Sequence, residues 1–236
     1  ESMRELPLEN TLLFLCEIQA PHDDLCHRVA LKRMIQKARG MGYAPTAAFE
    51  YEFFLFDETP HSVREKNYRN LTPISPGNFG YSMIRNTVFS EFHQDLLNTM
   101  EVMNIPLEGL HSETGPGVIE AAITYDDALA AADKAALFKT YAKIIAQRHG
   151  WMSTFMARWS NEQAGCGGHL HLSLRNLKNK GVFFDKTQDH GMSAVMRHFL
   201  AGQQQLIPEM LALFAPTVNS YNRLMPGYWA PTQATW

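Results

Sequence analysis

The sequence has little cysteine and little charge. Three cysteines, Cys16, Cys26 and Cys166, are spread over 236 residues with no close pair. This excludes a disulfide-stabilised scaffold and favours a reducing, cytoplasmic setting. Charged residues make up 19% of the chain, and the formal net charge is −3. Bulk charge would therefore not draw the protein to nucleic acid or to an anionic membrane.

Long apolar runs, internal repeats and targeting signals are also lacking. No stretch reaches the ~18 apolar residues that a membrane-spanning helix needs, so we expect no membrane partner. The first residues lack the basic start and apolar core of a signal peptide. The chain does not begin with Met and has no polar tail, so we expect a fragment of a longer protein. Its 45% of apolar and 11% of aromatic residues are enough for a sizeable core.

Hydrophobic periodicity predicts a mixture of strands and helices that do not alternate regularly. No glycine-rich nucleotide loop follows a strand, which favours an α+β fold over a doubly wound parallel sheet. Residues 57–82 read as one long loop, a kind of segment that is often functional. The predicted strands cover residues 11–18, 47–56, 106–111, 118–124, 151–157 and 168–174. The predicted helices cover 28–41, 86–103, 126–149 and 193–214, the last interrupted near Pro208.

The predicted strand 47–56 carries two carboxylates on one face. Residues two apart on a strand share a face, so Glu50 and Glu52 point the same way, and the apolar residues at 49, 51, 53 and 55 cover the other side. The pair fits either an ordinary solvated face or a cation held between the two side chains. Phe54 and Phe56 continue the carboxylate face, so that face is not simply open to water.

A second alternating strand, 168–174, places two imidazoles on one face. His169, His171 and Ser173 lie on one side, and three leucines lie on the other. This pattern is typical of a metal or phosphate platform. It is equally compatible with an exposed polar face.

A third group combines His111, Glu113 and Glu120. Glu113 precedes a Gly-Pro-Gly turn, and Glu120 lies in an otherwise apolar strand, where an unpartnered carboxylate is costly if buried. The alternative is that Glu120 sits at an exposed strand end. Together with Glu50, Glu52 and His169, these carboxylates form an oxygen-rich set that suits Mg²⁺ or Mn²⁺ better than zinc.

The last candidate segment, 215–228, is rich in turn formers and polar residues. Arg223 is its only full charge. A guanidinium in such a segment could clamp a carboxylate or a phosphate bidentately. It could also be an ordinary arginine of a surface loop.

Four motifs stand in one order along the chain: 49–56 (FEYEFFLF), 108–117 (EGLHSETGPG), 164–174 (AGCGGHLHLSL) and 215–228 (APTVNSYNRLMPGY). Their order and spacing resemble the catalytic domain of class I glutamine synthetases and of their γ-glutamyl-amine ligase relatives. The resemblance covers nearly the whole chain. Any one motif is weak evidence, whereas four in register are strong evidence.

The resemblance implies a curved, largely antiparallel sheet, forming an incomplete barrel flanked by helices. It implies that ATP and glutamate enter from opposite ends, with two or three Mg²⁺ or Mn²⁺ ions between them. By motif position, the resemblance implies that a first metal is bound by Glu52, Glu113 and Glu120, and a second by Glu50 and His169. It implies that ATP is contacted by Glu108, His171 and Ser173. It also implies that the backbone of Gly165 contacts glutamate and that Arg223 clamps the substrate carboxylate.

The implied activity is ATP-dependent ligation of ammonia or a primary amine to the γ-carboxyl of glutamate through γ-glutamyl phosphate, in a ring-shaped homo-oligomer. Trp229 stands where ammonia-using relatives carry a flap glutamate, and this favours a larger amine as acceptor. We expect residues 1–236 to be a partial catalytic domain, inactive alone, without the family's N-terminal β-grasp domain and C-terminal part. Two alternatives remain: a non-catalytic structural relative, and an unrelated metal-dependent enzyme that uses His-x-His and a glutamate.

Overall fold

The computed structural model describes residues 2–7 and 10–226. Its strands are Arg4–Glu5 (β1), Leu12–Leu13 (β2), Tyr43–Phe56 (β3), Leu107–Ser112 (β4), Val118–Ile123 (β5), Asp126–Asp127 (β6), Met152–Thr154 (β7) and Gly168–Asn176 (β8). Its α-helices are His27–Gly40 (α1), Pro60–Glu65 (α2), Met83–Val88 (α3), Ser90–Val102 (α4), Ala128–Arg148 (α5), Ala194–Phe214 (α6) and Val218–Arg223 (α7). Short 3₁₀ turns lie at Asp23–Leu25 and Asp189–Gly191.

Strand β3 is the centre of the main sheet. Phe54 pairs with both β5 and β7, and Thr46 pairs with both β6 and β8. Glu50 pairs with both β5 and β8. Strands β5 and β6 therefore flank one side of β3, and β7 and β8 flank the other. Strand β4 lies outside β5, and every pairing is antiparallel. The sheet is open rather than closed into a barrel, and the predicted α+β fold is confirmed.

The two faces of β3 are buried in different ways. Phe53 and Leu55 belong to the main core, where Phe53 contacts Phe138 of α5 edge-on at 6.1 Å between ring centroids. Phe54 and Phe56 belong to a smaller cluster on the opposite face. The predicted alternation is therefore confirmed. On the side of β3 that bears Glu50 and Glu52, the buried aromatic residues, Phe54 and Phe56, lie only at the C-terminal end of the strand.

Three predicted elements are shorter or more broken than expected. The predicted strand 151–157 contains only Met152–Thr154. The predicted strand 11–18 contains only Leu12–Leu13, which pair with the equally short β1. The predicted helix 86–103 is two helices, because Phe89 leaves the helical region with φ −96° and ψ 20°. The first of them begins earlier than expected, where the Ser82 side chain accepts the Arg85 N–H.

Helix α6 also differs from expectation, since it continues through Pro208 without interruption. None of its residues is buried. Among the residues that the structure describes, no helix is both long and apolar enough to cross a bilayer.

The expected loop 57–82 contains helix α2 and is fixed by Glu58, a glutamate that is only 2% exposed. Its carboxylate accepts hydrogen bonds from the Ser62 hydroxyl at 2.6 Å, from the Thr72 N–H at 2.9 Å and from the Lys66 ammonium. Burial alone would raise the pKa of Glu58, but these donors lower it to about 2. The ordered segment leads the chain from the end of β3 toward α3.

Candidate metal and substrate site

The strand register places the predicted acidic residues in rows across one face of the sheet. His111 of β4 pairs with Glu120 of β5, and Glu120 pairs with Glu52 of β3. Glu50 pairs with His169 of β8. Directly paired residues share a face in an antiparallel sheet. The sequence therefore folds so that carboxylates far apart in the chain meet on one surface.

The first close group consists of His111, Glu113 and Glu120, whose possible ligand atoms all lie within 4.8 Å of one another. His111 Nε2 lies 3.6 Å from Glu120 Oε2, and His111 Nδ1 lies 4.0 Å from Glu113 Oε2. Glu113 Oε1 accepts the Thr114 N–H at 2.7 Å. Glu113 Oε2 is buried and has no hydrogen-bond partner among the described residues. A buried carboxylate oxygen left in this state is well suited to a cation.

The electrostatics of this group also favour a bound cation. Glu120 is 8% exposed. Burial raises the pKa of Glu120 to about 7, and the carboxylates of Glu50, Glu52 and Glu113 act in the same direction, opposed by His169. Carboxylates crowded in this way remain ionised together only when a cation balances them. Oxygen and imidazole donors with surplus negative charge fit Mg²⁺ or Mn²⁺.

The second close group consists of Glu50, His169 and His171. Glu50 Oε2 is 2.8 Å from His169 Nδ1 and 3.2 Å from His171 Nε2. Burial would raise the pKa of Glu50, but its contacts with the two imidazoles lower it below its usual range. Both histidines lie on the exposed β8, with side chains 62% and 63% exposed. This group is consequently open to solvent on the described part of the chain.

Glu52 connects the sheet to the glycine segment that precedes β8. Its Oε2 accepts the Gly167 N–H at 2.6 Å, and its own N–H donates to the Gly167 carbonyl at 3.2 Å. Glu52 belongs to neither close group, although it pairs directly with Glu120. Its assignment to the first metal stays a prediction.

The predicted clamp and the predicted glutamate contact lie against each other. A Cβ atom added to Gly165 would clash with Cδ of Arg223 and with the carbonyl oxygen of Ala157. Only glycine permits this approach, so the arginine side chain covers the backbone of the glycine segment. Arg223 is the last residue of α7.

Three other predicted residues lie outside these contacts. Ser173 follows the two histidines along β8 and is exposed. Glu108 is exposed at the irregularity in β4 between Leu107 and Gly109. Trp229 lies outside the described residues.

Two aromatic or imidazole side chains were not assigned to the site from sequence. The sequence groups His111 with Glu113 and Glu120 but predicts no role for it, whereas in the structure it lies between their carboxylates. Tyr81 lies in the segment that the sequence predicts as a long loop, and its ring stacks on His111 with centroids 4.8 Å apart. The neighbouring carboxylate of Glu113 raises the pKa of Tyr81 to about 12. No local pattern could have identified Tyr81, because its partner is thirty residues away.

Comparison with known proteins agrees with this geometry. The family model described as glutamine synthetase, catalytic domain, matches residues 24–236. A type-1 glutamine synthetase of Dictyostelium discoideum is 42% identical over 100% of this chain and 46% of its own length. A glutamate–isopropylamine ligase of a Pseudomonas species is 37% identical over 97% of this chain and 50% of its own length.

Solved structures show the same relationship. The structure of GmaS in complex with ADP superposes with a TM-score of 0.85 at 26% identity, covering 95% of this chain and 52% of that one. The chain thus spans about half the length of the relatives that it matches. The chain belongs to the glutamine synthetase family.

Proposed function

We propose that the protein carrying this chain is an ATP- and divalent-cation-dependent ligase that joins ammonia or a primary amine to the γ-carboxyl of glutamate. One observation carries the proposal: four glutamates and three histidines meet on one sheet face with more negative charge than the neighbouring side chains offset. A non-catalytic relative would have no need to retain such a costly cluster.

The donor set fits two cation positions. Glu52, Glu113 and Glu120 would hold one cation, and Glu50 with His169 would hold a second; a third is compatible with the family. The buried Oε2 of Glu113, which accepts no hydrogen bond among the described residues, supports the first position. When bound, the cations neutralise the ATP phosphates and align the γ-phosphoryl group. Glu108, His171 and Ser173 would lie on the ATP side.

The chain's own residues would hold glutamate for reaction. Arg223 would clamp the α-carboxylate with its two-pronged guanidinium, and the backbone of Gly165 would contact the same substrate. The γ-carboxylate oxygen then attacks the γ-phosphorus of ATP, the bond to ADP breaks, and γ-glutamyl phosphate forms. The amine nitrogen attacks the acyl carbon, phosphate leaves with the C–O electron pair, and the amine loses a proton to a base.

The acceptor is proposed to be a primary amine rather than ammonia. The family includes amine ligases among the relatives of this chain, such as the isopropylamine ligase and a γ-glutamylethanolamide synthetase of Streptomyces coelicolor that is 38% identical. An indole at position 229 supplies no base, but its face attracts a cation and its area covers alkyl carbon, worth ~0.5–2 kcal/mol for the cation–π part.

The wider setting of this enzyme is proposed from the family. We place it in the cytoplasm, as a ring-shaped homo-oligomer of chains that each contain this partial catalytic domain. The three free cysteines of the described chain are compatible with a reducing compartment.

The test is glutamate-dependent release of phosphate from ATP by the full-length protein, with Mg²⁺ or Mn²⁺, screened against ammonia, methylamine, ethanolamine and putrescine. The expected result is turnover with at least one amine and none in Glu52→Ala, which removes a carboxylate beside Glu120. Glu101→Gln, an exposed change on α4, is the matched control. Turnover that persists in Glu52→Ala, or that needs no glutamate, would contradict the proposal.

A further inference from the structure

Arg158 is a buried arginine, 4% exposed, whose guanidinium donates to four backbone carbonyls. Three of them belong to the loop that leads to Gly165: Ser160 at 3.1 Å, Asn161 at 2.6 Å and Gln163 at 3.2 Å. The fourth is Asn222, at 2.9 Å, in the last turn of α7. One side chain therefore bridges two separate segments of the chain.

The backbone of Arg158 joins the same two segments. Its N–H donates to Oδ1 of Asn219 at 2.7 Å, and its carbonyl accepts a hydrogen bond from Nδ2 of the same asparagine. Asn219 lies one helical turn before Arg223 on α7. Side-chain and backbone contacts of Arg158 thus hold both ends of this short helix.

This bridge matters because α7 is weakly anchored otherwise. The helix has six residues, none of them buried, and a helix of this length is not stable by itself. Its last residue, Arg223, packs on Gly165. Ala157, directly before Arg158, accepts the Cys166 N–H at 2.9 Å and so fixes the other side of that glycine. Arg158 lies at the point where the loop and the helix meet.

We propose that Arg158 is a positioning residue for the substrate-carboxylate clamp: it fixes α7 so that Arg223 stays against Gly165. The inference rests on the proposed function, because it assumes that Arg223 holds glutamate. A lysine at position 158 would keep the charge but lose the planar fork, and its single nitrogen could not replace the three guanidinium nitrogens that make these four hydrogen bonds.

The experiment uses the full-length protein with Arg158→Lys, Asn219→Ala, Arg223→Lys and the double variant Arg158→Lys/Arg223→Lys. Arg158→Lys is expected to raise the KM for glutamate roughly tenfold, with the KM for ATP changed less than twofold. Asn219→Ala is expected to act in the same direction but less strongly. The double variant should have no higher glutamate KM than Arg223→Lys alone, since both changes disable one clamp.

Arg28→Lys is the matched control. Arg28 is also a largely buried arginine, with Nε 2.9 Å from Asp133, but it joins α1 to α5 away from the clamp. Its replacement should lower the melting temperature and leave the glutamate KM unchanged. A merely structural Arg158 would behave in the same way.

Three outcomes in an active enzyme overturn the inference. The glutamate KM could stay within twofold of wild type in both Arg158→Lys and Asn219→Ala, or the KM effects of Arg158→Lys and Arg223→Lys could multiply. If Arg158→Lys does not fold, an unchanged glutamate KM in Asn219→Ala is sufficient to reject it. An inactive wild type would refute the proposed function and this inference together, whereas an active wild type with unaffected variants refutes the inference alone.

Discussion

Glu58 and Glu120 are both buried glutamates close to strand β3, and they have opposite electrostatic surroundings. Glu58 is 2% exposed and has Lys66, Ser62 and the Thr72 N–H as donors, so its pKa falls to about 2. Glu120 is 8% exposed among other carboxylates, and its pKa rises to about 7. The counter-charge of Glu58 is therefore supplied by the chain itself, through the ammonium group of Lys66.

This contrast separates a carboxylate that the chain itself pairs from one that is proposed to bind a cation. A buried charge costs free energy unless it is paired. At Glu58 the chain provides the pairing and gains an ordered loop. At Glu120 the neighbours include three further carboxylates, which oppose its ionisation and which a bound cation would offset. Burial alone would not have distinguished the two residues, whereas the identity of the neighbours does.

The largest expected effect is on cation affinity. Glu120→Gln should weaken Mn²⁺ binding roughly 100-fold, because it removes one charged donor from the buried group. Glu58→Gln should leave the affinity unchanged. Isothermal titration calorimetry or Mn²⁺ electron paramagnetic resonance on the folded chain measures both. Equal Mn²⁺ affinity in wild type and Glu120→Gln would show that Glu120 does not bind the cation.

The next effect concerns stability without metal, and its sign should differ between the two glutamates. In EDTA at pH 7.5, Glu58→Gln should lower the free energy of unfolding by about 2 kcal/mol, since Lys66 and the Thr72 N–H lose a charged acceptor. Glu120→Gln should leave the free energy unchanged or raise it, because it removes a repelled charge. Urea denaturation gives both values. A loss of equal size in the two variants would show that both carboxylates are structural.

The smallest effect is the pH dependence that Glu58 confers. Its folded pKa of about 2 lies below the ordinary value of 4.5. The unfolded chain therefore binds the proton first as the pH falls. The stabilisation is present above pH ~4.5 and is lost progressively toward pH ~2. Urea denaturation between pH 5 and pH 3 measures this loss.

Lys66→Met tests the origin of that dependence. Without the ammonium group, the folded pKa of Glu58 should lie nearer to 4.5, so stability should be lower than wild type at pH 5 and the two curves should converge toward pH 3. Arg64→Met is the control, because Arg64 lies in α2 two residues before Lys66 and its guanidinium donates to the Pro60 carbonyl. Parallel curves for wild type and Lys66→Met would show that Lys66 does not set the pKa of Glu58.

The architecture around β3 could be predicted from sequence because its signals are local. The alternation of glutamates and aromatics fixes both faces of the strand within eight residues. Assembly of the acidic rows could be expected only through the order of four motifs, since no local pattern shows that Glu120 pairs with Glu52. The roles of these residues stay predictions.

Other features were missed because they depend on contacts distant in sequence. The position of Tyr81 depends on its stacking against His111, and the position of Glu58 depends on its contacts with Lys66 and Thr72. The predicted strand 11–18 was wrong over most of its length. Apolar content suggested it, but Phe14 is 58% exposed and Ile18 47% exposed, and only two of its residues find a partner strand.

The uninterrupted pairing of β3 has a consequence for the distance between the two proposed cation positions. Residues 50–54 pair with β5 without a bulge, and residues 43–51 pair with β8 in the same way. Same-face residues of an extended strand are about 6.6 Å apart. The separation of Glu50 and Glu52 is therefore set by covalent backbone geometry. A substitution at Glu50 or Glu52 would change one side chain and leave the other in place. A single residue inserted between them would instead point one carboxylate to the opposite face of the strand, into the aromatic core beside Phe138.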